Sequence, residues 1–338
     1  MAMDVKAKGQ NHRRFFEYLC TIFIVVSLNF ALPRLMPGDP FLYLSGDHDE
    51  EIARFSTEQI DAYRHQYGLD KPWPVQYAAS LLGLIRGDLG YSIYYNKKVS
   101  SILLDRLPWT LLLVLSAVFF STVIGCLLGS LSASFRGKTT DRLLYPLMIA
   151  VAEIPAFLLG LLLLFFLAAG LRLFPLSGAM THFADAAGLW HKGIDIAHHA
   201  FLPVLTLTLV RTGAMYLLAR NAMTTVLARD YVRTARAKGL STSRILVRHS
   251  LRNAMVPIAT RVFLSLGSLV GGAILVENVF AYPGLGRLMR ESVLVHDYPM
   301  IQGIFLLVTG AVLSANFLAD CVCRYLDPRI GLSTGVRS

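Results

Sequence analysis

The sequence predicts an all-helical integral membrane protein with six transmembrane helices. The chain has 338 residues, of which 54% are hydrophobic and only 16% are charged. A soluble domain usually carries about 25% charged residues, so much of this surface is expected to face lipid. Six apolar stretches alternate with polar segments, and basic residues concentrate in every second polar segment. Together these three observations predict a helical protein that crosses the membrane several times.

Each apolar stretch is about as long as a helix that crosses the hydrocarbon core, which needs about 20 residues. The stretches are 16–35, 111–133, 144–171, 201–219, 256–279 and 301–322. The first follows Arg13 and Arg14, as a signal peptide core would. It is too long for such a core and runs into Leu32-Pro33-Arg34 rather than a small-residue cleavage site, so we expect a retained anchor.

The basic residues predict how the spans are oriented, because Lys and Arg are enriched in short cytoplasmic segments. They cluster before the first span, after the second, after the fourth and after the sixth. Both termini are therefore expected to be cytoplasmic. The net charge of +10 comes from basic residues that border the spans and do not form a patch on a soluble domain. No nucleic acid partner is therefore expected.

The segment 37–106 is expected on the opposite side and is too long for a simple loop. Ser56 or Thr57 can cap a helix that ends at Gly68. A second short helix is expected from Pro74 to about Ile85.

The stretch from Asp230 to Leu240 lies in the longest basic loop and predicts a helix with a defined end. Residues 224–238 have helical character. Gly239 follows them and is free to take the left-handed conformation that ends many helices.

A second helix is expected to follow directly. Ser241 or Thr242 can cap it, and it would run through Arg252. Pro257 would then lie in the first turn of the fifth span, where its missing N–H costs nothing. A rigid helix–turn–helix suits docking to another protein. The alternative is that these basic residues only orient the chain and bind anionic headgroups.

The arrangement resembles the "EAA" loop of binding-protein-dependent ABC importer permeases, in which a coupling helix fits a groove of a cytoplasmic ATPase. Asp230, Ala235 and Gly239 stand at the positions of the acid, alanine and glycine of that loop, and Thr234 replaces its first alanine. The resemblance implies an ATPase-docking segment that contains Asp230, Tyr231, Arg233, Thr234, Ala235, Arg236, Lys238, Gly239 and Leu240.

The resemblance extends over nearly the whole chain through short motifs in a fixed order. They are Pro37-Gly38-Asp39-Pro40, Gly68-Leu69-Asp70-Lys71-Pro72, Gly87-Asp88-Leu89-Gly90-Tyr91-Ser92, Arg106-Leu107-Pro108-Trp109-Thr110, Glu277-Asn278, Pro283-Gly284-Leu285-Gly286-Arg287, Asp297-Tyr298-Pro299 and Leu326-Asp327-Pro328-Arg329-Ile330. This series is similar to the first permease subunit of the dipeptide/oligopeptide/nickel ABC importer family. The glycines and prolines of the outer motifs are expected either to form turns or to dock a binding protein.

The resemblance implies a type I ABC importer permease fold in the bacterial inner membrane. It also implies four kinds of partner: a second homologous permease, two cytoplasmic ATPase subunits, an extracytoplasmic solute-binding protein and membrane lipid. Di- or oligopeptides are the expected solutes, with glutathione and nickel chelates left open.

The expected organisation has four parts. Residues 1–35 form the cytoplasmic N-terminus and first span, and residues 36–106 form the extracytoplasmic segment. Residues 107–322 form the core permease domain of five spans, with the coupling loop at 220–255. Residues 323–338 form a cytoplasmic tail.

Glu153, Arg211 and Arg261 are ionisable residues in or near apolar spans, where charge is costly. Glu153 precedes Pro155 in the third span, where the family usually has a small polar residue. Arg211 and Arg261 lie in or near the fourth and fifth spans. We hypothesise that Glu153 pairs with Arg211 or Arg261, lies near the headgroups, or lines the translocation path and contacts an amine of the substrate.

The sequence contains no Gly-x-x-x-x-Gly-Lys-Ser/Thr phosphate-binding loop, so ATP and Mg are expected in partner subunits. No cofactor, metal site or catalytic residue is expected in this chain. His198 and His199 are adjacent and diverge by about 100° on a helix, which favours an interfacial position over a metal site. The four cysteines have no zinc-type spacing.

Two other classes of protein compete with this interpretation. An ion-coupled secondary transporter would use buried carboxylates and usually shows internal repeats, and Glu153 is its only support. An intramembrane hydrolase would need a nucleophile and a base within the spans, and the sequence offers no convincing pair.

Overall fold

The structure is a computed structural model that describes residues 20–36, 57–181, 188–241, 244–245 and 251–326. The described residues form helices, with one isolated antiparallel bridge between Tyr91 and Lys98. The helices are α1 (Cys20–Leu35), α2 (Thr57–Gln66), α3 (Trp73–Ile85), α4 (Val99–Ser134), α5 (Thr139–Glu153), α6 (Ala156–Leu163), α7 (Leu189–Leu227), α8 (Asp230–Ala237), α9 (Arg252–Val279), α10 (Leu285–Leu294) and α11 (Tyr298–Leu326). The predicted all-helical class is confirmed.

Three helices in the described part of the chain are long and apolar enough to cross a membrane: α4, α7 and the Tyr298–Ala319 part of α11. A fourth span is present if α5 and the segment after it count as one. Helix α1 is apolar but shorter. Each of the six predicted stretches overlaps a helix. By helix length and composition, however, only three or four of them are established as spans in the described residues.

The predicted third span, residues 144–171, is wrong as a single helix. It is bent by 97° between Thr139–Glu153 and Ala156–Gly170. Ile154 has the extended conformation with ψ of 124°, because a residue before proline is disfavoured in the helical region. Pro155 then begins α6, which continues as a π-helix, Leu164–Gly170. The break is therefore caused by Pro155, which is visible in the sequence.

The two short helices predicted between the first and second spans are confirmed as α2 and α3. Gly68 ends α2 with a φ of +65°, and the N–H of Leu69 donates to the Arg64 carbonyl at 2.9 Å. This bond closes the helix end in the predicted way. The expectation for Pro257 is wrong, because α9 begins at Arg252 and Pro257 lies inside it.

The chain divides into two compact units. The first comprises Met1–Asp105 and Leu288–Gly310, and the second comprises Arg106–Arg287 and Ala311–Ser338.

In the first unit, polar contacts join α1 to α3. The Ser27 hydroxyl lies 2.7 Å from the Tyr77 hydroxyl, and Arg34 Nε donates to the side-chain amide oxygen of Gln76 at 3.0 Å. The Arg34 guanidinium also lies 3.7 Å above the Phe30 ring. It lines a cavity of about 460 Å³ between α1, α3 and the start of α11. The Arg34 side chain therefore makes these contacts within the first unit.

Asp297 organises the rest of the first unit and is fully buried. Its carboxylate accepts from the Ser92 hydroxyl and from the backbone N–H of Tyr94 at 3.1 Å. It also accepts from the N–H of Met300 at 3.2 Å and so caps α11. Two of the short sequence motifs, the one ending at Ser92 and the one beginning at Asp297, are thereby joined.

The second unit is built around close contacts of α7. Buried residues of α4, α7 and α9 form its main apolar cluster. Gly125 and Gly129 on α4 lie against the α7 backbone near Tyr216, so close that a Cβ at either position would overlap it. Gly213 on α7 lies equally close to Met148 on α5. Small residues at such crossings let membrane helices pack backbone to backbone.

Candidate functional site

Helix α8 forms most of the predicted ATPase-docking segment. The predicted single helix over 224–238 is wrong, because α7 ends at Leu227 and α8 begins at Asp230. The N–H of Val232 donates to the Arg229 carbonyl at 3.0 Å and starts the new helix. As a separate helix, α8 buries Val232 and Ala235 in an apolar cluster with Ile245. This cluster holds α8 in place.

The C-terminus of α8 closes on Gly239 as predicted. Gly239 has a φ of +76°, which is strained for residues with a side chain. The N–H of Leu240 donates to the Ala235 carbonyl at 3.3 Å. This bond and the left-handed glycine define a Schellman end. The chain therefore turns sharply after α8.

The outer face of α8 is open and charged. Asp230, Tyr231, Arg233, Thr234 and Lys238 are exposed. Arg233 and Asp230 are 4.0 Å apart with side chains 81% and 99% exposed, so their attraction contributes little to stability. This exposed face is therefore accessible to a partner surface. The side chain of Arg236 lies outside the described residues.

The predicted second helix of the coupling loop lies mostly outside the described residues. The N–H of Ile245 donates to the Ser241 carbonyl at 3.0 Å. Residues 242–243 and 246–250 are not described.

A buried ion pair near the end of α7 was not predicted from the sequence. Arg220 binds Asp141 with two hydrogen bonds, Nε to Oδ1 at 2.8 Å and Nη2 to Oδ2 at 3.0 Å. The N–H of Gly137 donates to Asp141 Oδ2 at 3.0 Å. Ser132 also donates to Asp141, and the Tyr216 hydroxyl lies 2.7 Å from Ser132 Oγ. The network joins α4, α5 and α7 about two turns before α7 ends at Leu227.

The sequence contains only a weak signal for this network. Arg220 belongs to the basic residues after the fourth apolar stretch, which predict orientation and no particular partner. Asp141 is the single acid among Arg136, Lys138 and Arg142 in the loop before the third span. An acid in such a basic segment suggests a specific partner.

A second buried carboxylate, Glu277, explains the motif between α9 and α10. Its Oε1 accepts from the Thr110 hydroxyl at 2.7 Å, and its Oε2 accepts from the N–H groups of Gly286 at 2.6 Å and Arg287 at 3.3 Å. A Cβ at Gly284 or Gly286 would overlap this carboxylate. The two glycines are therefore required by the site that receives Glu277.

Tyr282 lies in the turn beside Glu277 and is fully buried. Burial raises the pKa of Tyr282 well above its ordinary value, and the Glu277 carboxylate raises this pKa further. The phenol therefore stays neutral, and its ring packs edge to face on Trp109 at 5.9 Å.

Glu153, Arg211 and Arg261 all lie in the second unit. Glu153 ends α5 at the 97° bend and is exposed, Arg211 is half-buried on α7, and Arg261 is exposed on α9. No ion pair joins Glu153 to either arginine in the described residues, so the pairing hypothesis gains no support. The hypothesis that these residues line the translocation path stays a prediction.

His198 and His199 point to different acceptors. His198 Nε2 lies 3.0 Å from the Leu173 carbonyl, and His199 Nδ1 lies 2.9 Å from the Asp195 carbonyl. Among the described residues no group of three His, Cys, Asp or Glu side chains is placed to hold a metal ion.

The fold defines the class of protein. The chain matches a structure of the MetNI methionine ABC transporter in inward-facing conformations, with a TM-score of 0.55 at 19% identity. The match covers 68% of this chain and 97% of the other. Likeness at this identity shows the fold alone, which is that of a type I ABC importer permease.

Sequence comparison then gives the family. The family described as "Binding-protein-dependent transport system inner membrane component" matches residues 125–332, and the corresponding N-terminal family matches residues 11–114. The first match covers more than half of the chain, so the chain belongs to this family. The predicted resemblance is confirmed, and the secondary-transporter alternative is not supported.

Curated relatives match over nearly the full length. A putative peptide permease protein of Brucella ovis is 37% identical over 304 residues, which are 90% of this chain and 92% of the relative. The dipeptide transport system permease protein DppB of Escherichia coli K12 is 33% identical and covers 94% of this chain and 97% of its own length. The glutathione transport system permease protein GsiC of Salmonella paratyphi A is 34% identical with the same coverage.

Proposed function

We propose that this chain forms half of the translocation pathway of an ATP-driven importer for di- or oligopeptides. The observation that carries the proposal is the near full-length likeness to relatives named as peptide and dipeptide permeases. The separate helix α8, with its closed end and exposed charged face, supports it independently.

The proposed partners follow from the family. A second homologous permease completes the pathway, two ATPase subunits power it with one of them bound to α8, and a solute-binding protein delivers the peptide. The chain itself has no enzymatic role, and ATP and Mg belong to the ATPases. Six spans in a bacterial inner membrane, with both termini cytoplasmic, complete the proposal.

The proposed mechanism is alternating access. Closure of the ATPases on ATP pulls on the ATPase-docking segment. Helix α8 transmits the pull because Val232 and Ala235 fix it to the cluster with Ile245, and the Asp141–Arg220 network fixes α7 just before it. The cavity then opens outward to accept a peptide, and hydrolysis returns it to the inward-open state.

Co-purification tests the proposed assembly. The tagged chain is extracted from its native membrane in a mild detergent, and the accompanying proteins are identified by mass spectrometry. Recovery of a homologous permease and one or two ATPases is expected. A chain that purifies alone, with the ATPases present in the lysate, would contradict the proposal.

A further inference from the structure

Two like charges lie together in the helices predicted to cross the membrane. The Nε atom of Arg211 is enclosed without a hydrogen-bond partner, and Arg261 carries a like charge on α9, which packs against α7. No acid forms an ion pair with either arginine in the part of the chain that the structure describes. Like charges at low dielectric repel strongly, and ionisable groups in spans usually serve function.

Packing of α7 on α9 puts the two arginines at one level. The two helices run antiparallel, since two separate clusters join them at successive levels. One joins Met215, Ala219 and Met223 of α7 to Ala254 and Ile258 of α9. The other joins Leu202 and Leu207 of α7 to Ala273 and Val276 of α9.

Arg211 lies between these two clusters along α7, halfway from Leu207 to Met215. On α9 the residue next to Arg261 is Val262, which packs against both clusters. Both arginines therefore belong to the layer between the clusters.

Glu153 adds a charge of opposite sign near this layer. A Cβ on Gly213, two residues after Arg211, would overlap Ala152. Glu153 follows Ala152, is exposed, and lies at the bend where α5 ends. The second unit thus presents two cations and one anion, none paired with another of the three.

We propose that Arg211 and Arg261 bind the carboxylate of the transported solute and that Glu153 binds its ammonium group. The inference rests on the proposed function and deepens it, because it makes these residues selective for a zwitterion such as a peptide with free termini. Guanidinium groups suit a carboxylate because their N–H groups match its two oxygens.

The test compares uptake of peptides that differ only at their ends. Proteoliposomes with the complete importer and its binding protein receive an equimolar mixture of alanine di- to pentapeptides. Each length is present with free ends, as the C-terminal amide and as the N-acetyl form, and uptake is measured by mass spectrometry. The variants are Arg211→Gln, Arg261→Gln and Glu153→Gln, with Arg142→Gln as the control because Arg142 is exposed at the start of α5.

In the wild type, uptake of peptides with free ends is expected to exceed uptake of their C-terminal amides. The two arginine variants should lower the ratio of free to amidated peptide by about tenfold, the size of one charged hydrogen bond. Glu153→Gln should instead lower the ratio of free to acetylated peptide, and the control should change neither ratio. Because the binding protein is the same throughout, these changes arise in the permease.

Unchanged ratios in all three variants would overturn the inference. Partial loss of the second permease on purification of an arginine variant, with unchanged selectivity in the complexes that remain, would also overturn the inference, because the charge would then serve contact with that permease. Arg211→Lys keeps the charge but loses the paired N–H donors, so it is expected to assemble and to retain only part of the selectivity. Failure of the wild-type complex to take up any of the peptides would instead count against the proposed function.

Discussion

Single buried carboxylates hold the ends of helices in the second unit. Asp141 receives Arg220 and the N–H of Gly137, while Glu277 receives the first N–H groups of α10. Each carboxylate is nearly or fully buried, at 6% and 0% exposure. A buried carboxylate is stable only when donors surround it, so each one fixes several backbone segments at once.

Loss of the Asp141 charge should destabilise the protein strongly. Asp141→Asn leaves Arg220 as a buried cation without its partner, which typically costs about 3–5 kcal/mol. The midpoint of thermal unfolding of the purified protein should fall clearly. Asp61→Asn is the control, because the Asp61–Arg64 pair is exposed at 73% and 43% and such pairs contribute about 0–1 kcal/mol. Equal midpoints for the two variants would contradict a structural role of the buried pair.

Addition of one methyl group at Gly286 should have a similar effect for a steric reason. Its Cβ would overlap Ile274 and the Glu277 carboxylate, and overpacking typically costs about 1–3 kcal/mol. Gly193→Ala is the matched control, since a Cβ there meets nothing within 4 Å on α7. We expect the control to be neutral or slightly more stable, because alanine favours helix over glycine by about 1 kcal/mol. Thermal unfolding measures both, and a neutral Gly286→Ala would refute the explanation of the motif.

Single residues differed in how far the sequence could predict them. Gly239 was predictable, since a glycine after a helical run has a known conformation. The partner of Asp141 was not predictable, because Arg220 is 79 residues away and local patterns carry no information about such contacts. The partners of Glu277 are hidden in the same way, since Thr110 lies 167 residues before it.

Among whole elements, α8 is a short helix that depends on its surroundings for stability. It has 8 residues, and isolated helices of this length are marginal in water. Its stability therefore comes from the cluster with Ile245 and from the closed end at Gly239.

Disruption of this end should uncouple ATP hydrolysis from transport. Gly239→Val places a β-branched residue at a φ of +76°, which such residues avoid. In the proposed assembly, uptake should fall while ATP hydrolysis continues, so the number of ATP molecules used per peptide should rise. Gly239→Asn should keep most of the coupling, because asparagine tolerates this conformation. Both values are measured in proteoliposomes, and wild-type coupling in Gly239→Val would contradict the role of the turn.

Helices whose position depends on the length of an apolar stretch were predicted well. Breaks between consecutive helices were predicted poorly. Apolar stretches located the long helices, because hydrophobic length is the main signal for a membrane helix. The bend at Ile154–Pro155 was missed although proline marked it, since the surrounding residues are apolar apart from Glu153. The separation of α8 from α7 was missed because Ala228 and Arg229 are good helix formers, and only tertiary packing turns the chain there.

For the whole molecule, the sequence motifs led to the family and the structure explains several of them. The motif around Asp297 caps α11 and fixes the segment at Ser92. The motif at Gly284 and Gly286 receives Glu277. No motif identifies the solute, because the charged residues in the spans are single positions whose meaning depends on their neighbours in space.

In the proposed mechanism, ATP hydrolysis by partner subunits drives import through this chain. This mechanism is tested by uptake of a labelled peptide mixture by proteoliposomes that contain the purified complex and its binding protein. Uptake is expected to require ATP inside the vesicles and to be unchanged by an ionophore. Uptake that persists without ATP and collapses when the ion gradient is removed would contradict this mechanism.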